Sequence, residues 1–325
     1  MLGSCTAVDR PGETPRGGSE HGLMHPRPLP PSLAQGPFST ATARSHGVAP
    51  ERLRARDLRS PFHGVWSPST AKGLVGRCRE FAPLLRPDEY FAHETALALA
   101  GLPTPRRSEP GPLHVGTTRS RQRRRSGVVG HRLVPAALHD VDGLPVADPV
   151  DALVQAAQDV GLDDLVRLGD ALAGSWSSHA FAREVPLTTL QAAASARGRP
   201  GIRRLREALD FVRPGVDSPQ ETDLRLLIVR AGLPEPEVNV KRYAADGSYL
   251  GKPDLSYGWC RLALEYQGDH HRTDLETWRY DLARRERFED EGWRVVLVSR
   301  HDLRGAAAAV LTARIRRYLV GHPSR

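Results

Sequence analysis

The pattern of hydrophobic and polar positions is most regular in the last third of the chain. Ser218, Pro219 and Glu221 form a helix start, with serine as the N-cap and glutamate at the capping-box position. The hydrophobic residues that follow have helical spacing: Leu224, Leu227, Ile228 and Ala231. Gly232 and Pro234 end this pattern. A helix is therefore predicted directly after residue 218.

Four strands and two further helices are predicted after this helix. Alternation in EVNVKRY predicts a strand, Asp246-Gly247 a turn, and YLGKPDLSY a second strand. RLALEY is the third strand, a long helix then runs to Gly292, and the apolar run WRVVLVS is typical of a buried strand. The last helix begins at Ser299. The order αβββαβα indicates an α/β (α+β) domain over residues 218–320.

The preceding part of the chain divides into three predicted segments. Residues 1–34 are rich in Pro, Gly and Ser and are predicted to be a disordered tail. Residues 35–68 have the outline of a small winged helix-turn-helix segment, and a packing module with solvated arginines is the alternative. Residues 80–212 predict a mixed α+β middle domain, with a helix at His93–Ala100, two strands and further helices.

Charge favours a polyanionic partner. Lys and Arg number 46 against 38 Asp and Glu, which gives a formal net charge of +8. A cluster of arginines stands between the two predicted strands of the middle domain: Arg119, Arg121, Arg123, Arg124 and Arg125. Like charges packed this closely favour contact with a phosphate backbone, so DNA is the expected partner. A solvated hairpin tip is the alternative interpretation of the same run.

Cysteine usage and hydropathy limit the location of the protein. Cys5, Cys78 and Cys260 are far apart and odd in number, so neither a disulfide framework nor a zinc motif is indicated. No stretch is long and apolar enough for a transmembrane helix, and the N-terminus lacks the apolar core of a signal peptide. A cytoplasmic protein without a membrane partner is expected.

Two acidic residues on neighbouring predicted strands carry the candidate chemistry. Asp254 and Glu265 lie near each other if the strands pair through the Gly258 turn, and Gln267 projects to the same face as Glu265. Two close carboxylates repel unless a cation lies between them, which predicts Mg²⁺ or Mn²⁺ held by Asp254 and Glu265. Such an ion activates water and steadies developing charge in phosphodiester hydrolysis.

These residues carry a resemblance to a known superfamily. Three segments resemble the PD-(D/E)XK restriction-endonuclease-like superfamily, specifically an endonuclease-like family related to very-short-patch repair nucleases. They are Pro253-Asp254-Leu255, LEYQGDHHR from Leu264 and EGWRVV from Glu291. The resemblance implies metal binding by Asp254 and Glu265. It also implies water positioning at Gln267, an accessory carboxylate at Glu221 and a functional histidine at His271.

One departure from the superfamily pattern concerns charge. Gln267 stands where the motif has lysine, and a neutral amide cannot supply positive charge to the transition state. Lys252 is predicted to share a face with Asp254 and to supply that charge, and His271 and Arg272 are the other candidates. Simpler roles stay open for several residues: a capping residue for Glu221, a turn residue for Asp254, and loop residues for the histidines.

Two functions follow from these observations. The first is a Mg²⁺-dependent endodeoxyribonuclease coupled to a DNA-binding N-terminal region, and a nuclease for RNA or single strands is a variant of it. The second is a non-catalytic DNA-binding regulator with a degenerate nuclease fold. The N-terminal part resembles abortive-infection-type antitoxin regulators, through the winged-helix outline and the phrase GLPV ahead of a predicted helix at residues 148–157.

Overall fold

The computed structural model divides the chain into two compact units, Met1–Thr70 and Ala71–Arg325. It describes residues 26–105, 111–119, 124–195, 198–267 and 275–322, with backbone only at 124 and 275–281. Most of the predicted disordered tail lies outside these ranges. Within them, no helix has the length and apolar character needed to cross a bilayer.

The N-terminal unit is a small cluster of short elements. These are α1 (Pro31–Ala34), β1 (Phe38–Ser39), α2 (Thr40–Ser45), α3 (Pro50–Leu53) and β2 (Val65–Trp66). Its core consists of Leu33, Phe38, Ala43 and Leu53, and β1 pairs antiparallel with β2. Ser39 caps α2 by accepting a hydrogen bond from the Thr42 backbone N–H at 3.0 Å.

This unit differs from the sequence expectation at two places. The predicted tail extended to residue 34, whereas Leu33 on α1 is buried at 3% exposure, so structure begins before residue 35. The predicted order of helix, turn, helix and strand is present, but α3 is a single turn. Arg54, Arg56 and Arg59 therefore lie beyond that helix, and Arg52 on it pairs with Asp57 at 2.7 Å. A DNA-recognition role for this segment stays a prediction.

The second unit is a mixture of helices and mixed sheets. Its helices are α4 (Gly73–Phe81), α5 (His93–Leu99), α6 (Pro149–Ala156), α7 (Leu162–Ala173), α8 (Leu187–Ala194), α9 (Ile202–Asp210), α10 (Pro219–Arg230), α11 (Leu275–Asp290) and α12 (Gly305–Gly321). The six strands of its first half are β3 (Glu89–Phe91), β4 (Leu113–Thr117), β5 (Arg124–Arg125), β6 (Val128–Arg132), β7 (Leu138–Val141) and β8 (Leu144–Ala147). They form one sheet in the order β5-β6-β4-β3-β8-β7. The predicted helix at residues 93–100 is present as α5.

The second half contains the elements predicted to carry the chemistry. Its strands are β9 (Glu237–Val238), β10 (Arg242–Tyr243), β11 (Tyr249–Gly251), β12 (Leu255–Tyr257), β13 (Leu262–Tyr266) and β14 (Arg294–Val298). Four of them form a sheet in the order β14-β13-β12-β9, in which β13 pairs parallel with β14 and antiparallel with β12. The other two, β10 and β11, pair with each other.

Two of the four predicted strands are each interrupted once. EVNVKRY forms β9 and β10, and YLGKPDLSY forms β11 and β12. Val238 pairs with Leu255 and Arg242 pairs with Gly251, so the same pairing register continues across both interruptions. The result is one hairpin with a break in its middle. Asn239 adopts a left-handed backbone with φ 50° at the break, and Pro253 has no N–H to donate to a ladder. Asp254 lies next to this break.

Helices cover both faces of the four-stranded sheet. Residues of α10 and α12 pack on one face against Leu262, Leu264 and Val296. On the other face, Phe288 of α11 packs against Ala263, Val295 and Leu250. Because side chains alternate along a strand, Glu265 projects to the same face as Ala263, toward α11.

A buried ion pair joins the two halves of the second unit. Asp170 on α7 and Arg225 on α10 have fully buried side chains, with Arg225 Nη2 2.9 Å from Asp170 Oδ2. Asp170 also accepts hydrogen bonds from the Thr222 hydroxyl at 2.8 Å and the Arg213 backbone N–H at 2.7 Å. The segments 80–212 and 218–320, which the sequence analysis treats as separate domains, therefore lie in one compact unit.

We predict that Asp170→Ala destabilises the second unit by about 3–5 kcal/mol, because it removes the fully buried partner of Arg225 and leaves only the partly exposed Glu235 to pair with this buried charge. The matched control is Asp163→Ala, which removes a pair with Arg230 whose side chains are 43% and 44% exposed. Such a pair contributes about 0–1 kcal/mol. Urea unfolding followed by circular dichroism compares the two variants, and equal midpoints would show that the buried pair does not hold the halves together.

Candidate functional site

The structure brings Asp254 and Glu265 together on adjacent strands. Leu255 of β12 pairs with Leu264 of β13, and continuing this register places Asp254 opposite Glu265. Asp254 Oδ2 accepts a hydrogen bond from the Tyr266 backbone N–H at 2.7 Å. The carboxylate of Asp254 is thereby anchored to the strand that carries Glu265.

Glu221 adds a third carboxylate from the start of α10. Its side chain is 5% exposed and completes the capping box, accepting hydrogen bonds from the Ser218 hydroxyl at 2.8 Å and the Asp217 backbone N–H at 3.0 Å. Asn239 at the hairpin break donates its side-chain amide to the same carboxylate at 2.6 Å. The capping role is therefore present, and Glu221 is at the same time tied to the hairpin that bears Asp254.

Electrostatics place these carboxylates in one site. Burial raises the pKa of Asp254 to about 6; the Tyr266 hydrogen bond opposes this shift and the charge of Glu265 adds to it. Burial likewise raises the pKa of Glu221 to about 6, and the charge of Asp254 contributes in the same direction. Each acid destabilises the ionised form of its neighbour, which is the condition that a bound cation relieves.

Two cationic side chains border the carboxylates. Lys252, predicted to share a face with Asp254, forms an ion pair with Asp217 through Nζ and Oδ2. Asp217 is close enough to raise the pKa of Asp254, so Lys252 lies at the edge of the site. Arg284 of α11 donates from Nη2 to Glu265 Oε2 at 2.7 Å.

Arg284 was missed by sequence reasoning. The structure directs it onto Glu265, and only 24% of its side chain is exposed. Gly251 explains how α11 comes so close, because a Cβ there would lie 2.9 Å from Phe288 and 3.3 Å from Arg284. Its φ of 155° also favours glycine. No local sequence signal contains this tertiary contact.

The other predicted site residues have mixed outcomes. Gln267 lies just past the end of β13, where its backbone N–H donates to Val298 O at 2.7 Å and its side chain is exposed. His271 and Arg272 lie outside the described residues, so their predicted roles stay predictions. The same holds for Arg121 and Arg123.

The remaining arginines of the basic run lie at a sheet edge. Arg124 and Arg125 form the edge strand β5, which pairs antiparallel with β6 rather than only forming a hairpin tip. Arg119 follows β4, with its side chain 72% exposed and its Nε 3.5 Å from Asp88 Oδ2. An arginine edge strand next to the exposed Arg119 is compatible with phosphate contact, which stays a prediction.

A second group of potential ligands lies in the six-stranded sheet, far along the chain from the carboxylates. One ligand atom each from His93, Glu94 and His114 lies within 4.8 Å of the others, so this group could hold a metal ion. Sequence reasoning missed it, since His93 and Glu94 begin α5 while His114 is in β4. Only the pairing of β3 with β4 brings them together.

Comparisons with known proteins give relatives but no family. No protein-family model and no solved structure matches the chain. It is similar to uncharacterized protein Rv2248 of Mycobacterium tuberculosis strain ATCC 25618 / H37Rv and to uncharacterized protein MT2308 of strain CDC 1551 / Oshkosh. Each is 29% identical over 259 residues, which cover 79% of this chain and 91% of the relative. An alignment that covers 79% of the chain includes residues 80–212 and part of residues 218–320.

We predict that Asp254→Asn stabilises the metal-free protein at pH 7.5, by on the order of 1–3 kcal/mol. A raised pKa means that the native state holds this proton more tightly than the unfolded chain does. The free energy of unfolding therefore falls as pH rises from about 4 to about 6, and asparagine removes that loss while keeping the Tyr266 hydrogen bond.

Urea unfolding with EDTA at pH 7.5 and pH 4 checks this prediction. The gain should be present at pH 7.5 and absent at pH 4, where aspartate is protonated as well. The control is Asp246→Asn, because hydrogen bonds from Ser248 lower the pKa of that exposed turn residue and its replacement should give no gain. Destabilisation by Asp254→Asn at pH 7.5 would show that the charge of Asp254 is well solvated or well paired.

Proposed function

We propose that the C-terminal segment is a divalent-metal-dependent nuclease of the restriction-endonuclease-like type, acting on DNA. The observation that carries the proposal is the convergence of Glu221, Asp254 and Glu265 from three elements, with the pKa of two of these acids raised to about 6. Acids with perturbed pKa values in one site are typical of functional centres.

The arrangement of elements supports the same superfamily. A helix, an interrupted hairpin, a strand, a helix, a strand and a helix follow one another from α10 to α12. This order matches αβββαβα once the two interrupted strands are each taken as one. The two carboxylates of the motif lie on the paired strands β12 and β13 or next to them, as the resemblance implies.

The donor chemistry fits a hard divalent cation. Asp254 and Glu265 would hold Mg²⁺ or Mn²⁺ through carboxylate oxygens, the ligands that these ions prefer, with Glu221 as an accessory carboxylate. Such an ion supplies an activated water and screens the phosphate charge. If the ion replaced Arg284 as the partner of Glu265, the Arg284 guanidinium would be free to contact the phosphate.

The residues of the chain have distinct proposed roles. Gln267 is exposed beside the site and orients water through its amide, and Lys252 supplies positive charge at the edge. Arg284 is a further source of charge because it already contacts Glu265. Arg119, Arg124 and Arg125 would hold the DNA backbone, consistent with the net charge of +8.

A non-catalytic DNA-binding regulator is the second candidate, and one observation favours it. The position of the motif lysine is taken by a neutral, exposed Gln267, while the Glu265 carboxylate is engaged by Arg284. In that case the site would keep its geometry without performing hydrolysis. Substitution of Gln267 by lysine would then create cleavage where the parent has none.

We predict that the purified chain cleaves plasmid DNA with Mg²⁺ or Mn²⁺ and that EDTA stops it. Asp254→Asn and Glu265→Gln should each abolish cleavage, because each removes a charged ligand. The matched control is Glu289→Gln, an exposed acid on α11 that pairs with Arg285 and should cleave like the parent. Agarose gels that follow loss of supercoiled plasmid provide the measurement. Cleavage at the parent's rate by both Asp254→Asn and Glu265→Gln would refute the nuclease assignment to this site.

We predict that Lys252→Ala slows cleavage by about 10²–10³, the effect of losing one oriented transition-state donor. Folding should be unaffected, because the pair with Asp217 is exposed. Lys241→Ala is the matched control, since Lys241 is an exposed lysine on the same hairpin. Should Lys252→Ala cleave as fast as the parent, Arg284→Ala is compared next, and a large loss there would move the electrostatic role to α11.

A further inference from the structure

Three histidine rings stack in the six-stranded half of the second unit. The rings of His93 and His114 have centroids 4.3 Å apart with an interplanar angle of 6°, and His131 stacks on both at 5.2 Å and 5.1 Å. His114 Nδ1 lies 2.8 Å from His131 Nε2. His93 and His114 are buried, at 1% and 6% exposure, and Glu94 is half-buried beside them.

The sheet fixes these rings in one place. In the parallel pair β4–β6, Gly116 is opposite His131, so His114, two positions from Gly116, has its side chain on the same face as His131. His93 follows the central strand β3, where the Ala92 backbone N–H donates to His114 O at 3.0 Å. The Thr95 hydroxyl oxygen accepts from the His114 backbone N–H at 2.9 Å. The cluster is therefore built on rigid elements.

His93 has a backbone conformation that side-chain-bearing residues rarely adopt. Its φ is 57° at the first position of α5, and its backbone N–H donates to Gln155 Oε1 at 3.1 Å. Residues held in this left-handed region persist where surrounding structure enforces them, and they concentrate at functional sites. The strained start of α5 is what places His93 and Glu94 beside His114.

We propose that His93, Glu94 and His114 bind a divalent transition-metal ion of the zinc class, with His131 hydrogen-bonded to His114 beside the group. Imidazole nitrogens with one carboxylate suit zinc, cobalt or nickel, whereas Mg²⁺ prefers oxygen donors alone. The donor atoms of a tetrahedral zinc ion lie about 2.0–2.1 Å from the metal and therefore about 3.3 Å from one another. The ligand atoms of His93, Glu94 and His114 now lie within 4.8 Å of one another, and small side-chain rotations would bring them to this spacing. A neutral imidazole offers one ring-nitrogen lone pair, which is the donor that such a metal takes.

A carboxylate outside the group completes the arrangement. Asp159, in the turn that follows α6, has its Oδ2 3.3 Å from His93 Nε2. Metal-binding histidines characteristically donate their second nitrogen to such a carboxylate, which fixes the ring and its tautomer. Asp159 therefore acts as a positioning residue for His93, and it is half exposed, so it can be replaced without opening the core.

The test is metal binding by the full chain after removal of metals with a chelator. We expect one Zn²⁺ per chain by isothermal titration, and Co²⁺ should give the visible absorption of a low-coordinate site. Loss of a residue that only supports a metal ligand costs about 10–100-fold in metal affinity. Loss of a ligand itself should cost at least as much, so Glu94→Gln and His114→Gln should each weaken Zn²⁺ binding by more than about tenfold. Asp159→Asn should weaken it within that range, while circular dichroism without metal stays unchanged.

Two controls separate this site from the carboxylate site. His301→Ala removes an exposed histidine of the same unit and should bind Zn²⁺ like the parent. Excess Mg²⁺ in the titration occupies the carboxylate site, so success or failure of the nuclease proposal does not affect this result. The proposal is overturned if the parent binds no Zn²⁺ or Co²⁺, or if Glu94→Gln binds as tightly as the parent. Loss of binding in His301→Ala would also overturn it, because the ion would then lie elsewhere.

Discussion

Carboxylate burial is the constraint on which the second half of the larger unit depends. Asp254 and Glu265 are brought side by side because one hairpin continues in register across a break, and the break exposes neither acid fully to water. Glu221 is drawn to the same place by its own capping box and by Asn239, which occupies the break. The backbone thus holds the charges together against their repulsion, at a cost in stability.

Packing on both faces of the four-stranded sheet offsets the loss of stability that the close carboxylates cause. On one face, α10 and α12 bury the apolar residues of β12, β13 and β14, while α11 on the other face positions Arg284 on Glu265. The buried pair of Asp170 with Arg225 fastens α10 to α7 and hence to the six-stranded half. The carboxylate site and the histidine cluster therefore belong to one compact unit, although they lie on different sheets.

Local signals predicted some parts of this structure and missed others for physical reasons. Helix starts at Ser218 and the β12–β13 hairpin follow from short-range patterns, so the neighbourhood of Asp254 and Glu265 was predictable. The interruption at Asn239 and Pro253 was not, because alternation continues across it. Arg284 and the cluster of His93, His114 and His131 depend on contacts between elements distant in sequence. Within the basic run, the position of Arg124 and Arg125 on an edge strand likewise depends on pairing with β6.

The central claim is that Asp254 and its neighbouring acids form a site for a divalent cation. Mn²⁺ binding, followed by the loss of its electron paramagnetic resonance signal, tests this claim most directly. The account predicts one bound Mn²⁺ that is lost in Asp254→Asn and retained in His114→Gln. Its affinity should fall as pH drops from 7.5 to 5.5, because protons compete for carboxyl groups whose pKa is about 6. Binding that is unchanged by Asp254→Asn, or no binding at pH 7.5, would contradict it.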